Sequence, residues 1–179
     1  MIEIVRFLRS LTVSWVLFFS LILPPYQLTF AKSAKYIYSA VVTRVVDGDT
    51  VWIRTAQGAK IIKVRIVGID APETCQLGGR ASHEALYRRL MGQGVTLTAT
   101  ASGLHDNYGR LLAKIYLNGE DIGKWMVMNG YAWSYNYQRK LGPYAVEQSK
   151  AVAARRGLFN DSTAENPRLF RKRHGRCYA

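Results

Sequence analysis

The chain has 179 residues, 49% hydrophobic and 21% charged. That suffices for one ordinary domain with its own core, and it excludes wholesale disorder, collagen-like repetition and a polytopic membrane protein. Lys and Arg number 25 against 12 Asp and Glu, a formal net charge of +13, so the field attracts polyanions but names no reaction.

Arg6 and Arg9 precede an apolar run over residues 11–23, which Pro24 and Pro25 break and the small residues Ala31, Ser33 and Ala34 follow. Basic, then apolar, then small is the layout of a secretory signal peptide, and the run is shorter than the roughly 20 residues of a spanning helix. The expectation is a signal peptide over 1–33 and a secreted or periplasmic mature chain without stable membrane insertion. The alternative is an uncleaved membrane anchor.

Residues 36–46 alternate β-branched and aromatic side chains with polar ones up to the turn signal Asp47-Gly48-Asp49, after which 50–54 resume the strand pattern. Gln57-Gly58 turns the chain into a third strand over 60–67, stopped by Gly68 and Pro72. Over 79–93 the period changes, and Ala81, Ala85, Leu86 and Leu90 mark one side of an amphipathic helix. Strands follow over 95–100 and 111–117, the second closed by Asn118-Gly119. A short apolar helix over 122–128 ends at Asn129-Gly130. A longer one over 143–156 opens on Pro143, stops at Gly157 and carries Ala145, Val146, Ser149, Val152 and Ala153 on one side. The segment 161–179 is polar and basic, with Arg168, Arg171, Lys172, Arg173 and Arg176, and reads as a loosely held tail. The fold class is therefore α+β, mainly β: a five-stranded Greek-key barrel of the OB-fold kind with three helices, over 34–160, of a type whose exposed face binds oligonucleotides.

Four carboxylates, Asp47, Asp49, Asp70 and Glu73, lie at turns where strands end. Singly, each suits a turn through local backbone hydrogen bonding. If the second and third strands are antiparallel neighbours, however, Asp49 and Asp70 can meet. Adjacent carboxylates repel unless a cation separates them, and carboxylate, carbonyl and water oxygens suit Ca²⁺ or Mg²⁺ rather than zinc. His83, His105 and His174 have no ligand spacing, which disfavours a zinc enzyme. Arg65 stands mid-strand, where an unpaired guanidinium is expensive unless the face is open or an anion meets it. Arg110 follows the turn 106–109. Two such forks near a divalent cation would hold a phosphodiester and neutralise charge developing on its oxygens, and Glu73 could take the proton of an attacking water. Tyr108, Tyr135 and Tyr137 could stack on a nucleotide or pack the barrel. Cys75 and Cys177 could pair in an oxidising compartment, tying the tail to the acidic segment, or remain two free thiols.

Val46-Asp47-Gly48-Asp49-Thr50-Val51, then Arg65-Ile66-Val67-Gly68-Ile69-Asp70-Ala71-Pro72-Glu73, then Tyr108-Gly109-Arg110, in this order and at these separations, resemble the thermonuclease (staphylococcal-nuclease-like) family, with similarity running from about residue 38 to 159. The resemblance implies the five-stranded barrel with three helices, and a Ca²⁺-dependent endonuclease that cleaves DNA and RNA, favouring single strands, to products ending in 3′-phosphate. By position it implies calcium on the carboxylates of Asp49 and Asp70 and the carbonyl of Ala71, with Asp47 in the outer shell. It implies Glu73 as general base, Arg65 and Arg110 as phosphate-binding groups, Tyr108 as a nucleotide contact, and Tyr135 and Tyr137 flanking the base pocket. Asn107 departs from the family's type member, which has a lysine at that nucleotide-contacting position. Ala71 replaces a threonine, a harmless change if only its carbonyl serves. A monomer is expected. The rivals are a non-catalytic nucleic-acid-binding barrel, which has no use for Asp49, Asp70 and Glu73 together, and a basic protein acting on membranes through its tail.

Overall fold

A computed structural model describes residues 35–56, 58, 60–100, 105–135, 141–175 and 177. All belong to one unit, Ser33–Ala179. The expected signal peptide and Tyr137 lie outside the described residues. In chain order the elements are β1 (Lys35–Val45), β2 (Thr50–Thr55), β3 (Ile61–Ile66), β4 (Ile69–Asp70), α1 (Gly79–Leu90), β5 (Gly94–Thr100), β6 (Leu111–Leu117), β7 (Glu120–Asp121), α2 (Ile122–Met128), β8 (Trp133–Ser134), α3 (Ala145–Ala153), a 3₁₀ turn (Gly157–Asn160) and α4 (Pro167–His174).

The main sheet runs β3-β2-β1-β5-β6-β7, and a parallel pairing of β3 with β6 closes the five long strands into a barrel. β1 serves two neighbours, pairing with β5 over its first half and with β2 over its second. A register shift between Val42 and Arg44 allows this. Its effect appears in the side chains: Ala40 and Val42 face inward, but after the extra residue it is Val45, one position out of phase, that is buried. β6 keeps strict alternation, burying Leu111, Ala113, Ile115 and Leu117. With Val51, Ile53, Val64, Ile66 and Leu97 they fill the barrel.

The three expected helices are present, with two corrections to their faces. α1 buries Ser82, Leu86 and Leu90, at intervals of four, and leaves Ala81 exposed. The buried line of α3 is Tyr144, at its N-terminus, and Ala151, whereas Val146 and Val152 are 63% and 47% exposed. Hydrogen bonding decides this. The Tyr144 hydroxyl donates to Asp121, the Tyr144 N–H to Ser134 Oγ, and the Ser134 N–H to Gln148 Oε1, which fixes the helix with its valines outward.

The tail also differs from expectation. Residues 167–174 form α4, opened by Pro167 in the first turn and by Asn166, whose side chain accepts the Arg168 N–H. The segment is held by a disulfide between Cys75 and Cys177 and by Gln76, whose Nε2 donates to the Glu165 carbonyl at 2.7 Å. Among the described residues no helix is long and apolar enough to cross a membrane.

Candidate active site

The barrel's hydrogen bonding brings the two acidic turns together. Thr50 faces Arg65 across β2 and β3, and the Ile66 N–H donates to the Asp49 carbonyl at 2.8 Å, so Asp49 lies against the end of β3. β4 pairs with β8, and the Tyr135 N–H donates to the Gly68 carbonyl, which fixes the turn that carries Asp70. The 47–49 turn packs so closely on α1 that a Cβ at Gly48 would strike Ser82 Oγ and lie 2.7 Å from Ala71 Cβ. Only glycine fits there.

Arg65 joins these pieces. Its Nη1 donates to the carbonyls of Ile66 and Ile69 at 2.7 and 2.9 Å. Its Nη2 lies 2.9 Å from Asp49 Oδ2 and 3.2 Å from Asp70 Oδ1. Asp49 Oδ2 also accepts the Ala71 N–H at 2.9 Å, and Asp49 Oδ1 accepts the Thr50 hydroxyl at 3.0 Å. The carboxylates expected to meet do meet, with a guanidinium between them. Ala71 enters the site through its N–H. Asp47 accepts the Asp49 N–H at 2.9 Å.

Arg110 is oriented differently. Asp106 accepts the N–H groups of Tyr108 and Arg110 at one oxygen, and Nε and Nη2 of Arg110 at the other. Arg110 Nη1 donates to Thr50 Oγ1 at 3.0 Å. These bonds leave two of its N–H groups for a ligand, whereas those of Arg65 engage both of its terminal nitrogens fully. Of the two forks, Arg110 is therefore the more available to an incoming phosphate. Asp106 and Thr50, which hold it, were not singled out in the sequence; the Asp-x-x-Gly-Arg spacing of a side-chain-supported turn is the signal that could have found Asp106.

The charges are unbalanced toward the acid. Burial, aided by the charge of Asp49, pushes the Asp47 carboxyl up to about 7. Burial also raises Asp70, and Asp49 adds to it, despite the opposing pull of Arg171 and Arg65. Burial pushes Asp106 up too, but there the hydrogen bonds and charge of Arg110, with the Tyr108 N–H, outweigh it and hold the carboxyl below the usual range.

One cavity of about 450 Å³ takes in Asp47, Asp49, Asp70, Glu73, Arg65 and Arg110, with Tyr135 on its wall. Arg171 of α4 lines it as well, although the sequence offered it only as part of a basic run. Tyr108 is not among the lining residues: it is 61% exposed, with the Arg110 guanidinium 5.4 Å from its ring centre. Asn107 is exposed in the same turn. Tyr137 lies outside the described residues.

The family described as Staphylococcal nuclease homologue matches residues 63–161, more than half of the chain. The chain belongs to that family. An uncharacterized endonuclease of Escherichia coli O157:H7 is 35% identical over 133 residues, covering 74% of this chain and 84% of that protein. Another from Haemophilus influenzae is 34% identical over 131 residues, 73% and 71% of the two chains. The staphylococcal-like nuclease CAN1 of Arabidopsis thaliana is 32% identical over 114 residues, 64% of this chain and 34% of that protein. Family membership and barrel together support a nuclease, an enzyme acting on phosphodiester bonds of nucleic acid.

Proposed function

We propose that this nuclease is an exported endonuclease that uses Ca²⁺ to hydrolyse DNA and RNA, preferring single strands, and leaves 3′-phosphate ends. The observation that carries the reading is the convergence of Asp49 and Asp70 on one nitrogen of Arg65, in a cavity that also contains Glu73 and Arg110. A protein that only bound nucleic acid would be weakened by three buried or half-buried carboxylates facing its polyanionic ligand.

The residues present fit a hard cation. Among the described residues no group of three or more His, Cys, Asp or Glu side chains is placed to hold a metal ion. An ion here would rest on Asp49 and Asp70, with backbone, water and substrate oxygens completing its shell. Both carboxylates are almost fully buried and already converge on one cationic nitrogen, the hard-oxygen pair that such a cation takes. Bound there, Ca²⁺ would supply Lewis-acid stabilisation of charge on the phosphoryl oxygens.

The chain's own groups do the rest. Arg110, held by Asp106 and Thr50, offers its remaining N–H groups to the non-bridging oxygens of the phosphodiester. Arg65 adds a second permanent charge as the oxygens become more negative. Glu73 orients a water and takes its proton as the water oxygen bonds to phosphorus. The P–O5′ bond breaks in line with this attack, the 5′-oxygen picks up a proton from solvent, and the phosphate stays on the 3′ side. Tyr135 on the cavity wall offers a ring to the neighbouring base. Export agrees with the leader's layout and with a disulfide, which suits an oxidising compartment.

The test uses purified mature chain, single-stranded DNA, and either Ca²⁺ or excess chelator, with end-group analysis of the fragments. Fragments with 3′-phosphates in Ca²⁺ and uncut DNA in chelator are expected. DNA retained but uncut in Ca²⁺ would make this a binding protein.

A further inference from the structure

α4 lies beyond residue 161, where the match to the family description ends, yet it sends a side chain into the centre of the site. Arg171 Nη2 lies 2.9 Å from Asp70 Oδ2 and 3.2 Å from Oδ1, and its Nη1 lies 3.1 Å from Glu73 Oε1. The guanidinium thus occupies both oxygens of one cation-holding carboxylate and one oxygen of the general base. Burial alone would weaken its charge, but the two carboxylates hold it further above its ordinary range.

The placement is built rather than incidental. Cys177 is bonded to Cys75, two residues from Glu73. The Gln76 side chain accepts the Glu73 N–H and donates to the Glu165 carbonyl, so one buried amide holds both the catalytic loop and the start of the tail helix. Pro167 is buried, and Arg173 pairs with Glu165. Meanwhile Arg168, Lys172 and Arg173 remain exposed. Among the described bases of this segment, Arg171 is the one turned inward, and it meets Asp70 and Glu73. A tether of this kind keeps the guanidinium at an effective concentration on the order of millimolar or above.

We propose that α4 is an internal competitor for the cation site: Arg171, held in the cavity by the Cys75–Cys177 disulfide and Gln76, occupies Asp70 and Glu73 and must be displaced before a divalent cation and the attacking water use them. The proposal rests on the Ca²⁺ reading given above. It makes the tail a threshold device, setting how much cation the enzyme needs before it cuts.

The experiment measures Ca²⁺ affinity by calorimetry, without nucleic acid, on the full mature chain with its disulfide intact and on Arg171→Met, which keeps the apolar stem and removes the guanidinium. Competition from charged hydrogen bonds of this kind predicts Ca²⁺ binding tighter by about ten- to a hundredfold in Arg171→Met. The paired change Cys75→Ser with Cys177→Ser, which loosens the tether and leaves Arg171 in place, should move the affinity in the same direction by less. Should Arg171→Met fold poorly, Arg171→Lys, which has a single charged nitrogen in place of the fork, should also tighten Ca²⁺ binding. Unchanged Ca²⁺ affinity in these variants, with the parent binding Ca²⁺, would overturn the proposal. The same result with a raised KM for single-stranded DNA would show that Arg171 grips substrate phosphate instead. If neither parent nor variants bind Ca²⁺, the metal reading itself fails, and the competitor with it.

Discussion

Replacing Arg65 with methionine keeps an unbranched apolar stem and removes the guanidinium with all its N–H groups. Four interactions vanish together: those to the Ile66 and Ile69 carbonyls at 2.7 and 2.9 Å, and those to Asp49 and Asp70 at 2.9 and 3.2 Å. The two carboxylates are only 8% and 4% exposed, so water recovers little of the loss. Breaking a buried pair by removing one partner costs about 3–5 kcal/mol. Here Arg171 still faces Asp70, and Thr50 and Ala71 still donate to Asp49, which argues for the lower end, about 3 kcal/mol. A domain stable by about 5–15 kcal/mol would survive that as a marginal fold. Urea unfolding at neutral pH with chelator present measures the loss. Protonation of the stranded carboxyls relieves their repulsion, so the gap between variant and parent should narrow as the pH falls. A loss under about 1 kcal/mol, within the range of an ordinary exposed pair, or a gap that widens in acid, would refute the view that Arg65 holds the two turns together.

Asp47 gives a pH-dependent prediction. Its folded carboxyl sits at about 7 against an ordinary value of 3.8. Below the lower value it is protonated folded or unfolded and costs nothing; above the higher it is ionised in both states, and the penalty is complete. Stability from this group therefore falls as pH rises through that window, and Asp47→Asn should raise the unfolding midpoint more in alkali than in acid. Equal shifts at both ends would contradict it. Glu73→Gln should lower the rate of single-stranded DNA hydrolysis by about 10²–10⁴-fold, the usual contribution of a general base, while the thermal midpoint changes little; a variant keeping most of the parent rate would remove that role. Gly48→Ala should lose about 1–3 kcal/mol in urea unfolding, as an overpacked contact does, because its Cβ would meet Ser82 and Ala71. Adding Ser82→Gly should return part of the loss, and no rescue would mean the crowding lies elsewhere.

What the sequence revealed and what it hid follow from different physics. β6 was legible because Leu111, Ala113, Ile115 and Leu117 alternate cleanly with half-buried neighbours. The meeting of Asp49 and Asp70 was legible because it needs only that β2 and β3 be neighbours, as their register makes them. The bulge in β1 was not, since one extra residue leaves no mark on composition. α3 was misread because hydropathy favoured Val146 and Val152, while the helix is fixed by Tyr144 and Gln148, whose polar atoms find partners on Asp121 and Ser134. Tyr108 sits beside Arg110 in sequence, but its turn directs the ring outward. α4 was hidden most fully. A run of arginines has the composition of a solvated tail, and the carboxylates that capture Arg171 lie about a hundred positions earlier, brought close by the fold and the disulfide.

The most direct measurement is a Ca²⁺ titration of single-stranded DNA hydrolysis for the parent chain and Asp49→Asn. Cleavage by the parent should rise from nothing with added Ca²⁺, and the variant should need at least about tenfold more, as loss of one charged ligand implies. Superimposable titrations, or cutting by the parent in excess chelator, would contradict a hydrolysis that depends on these two acidic turns holding a cation.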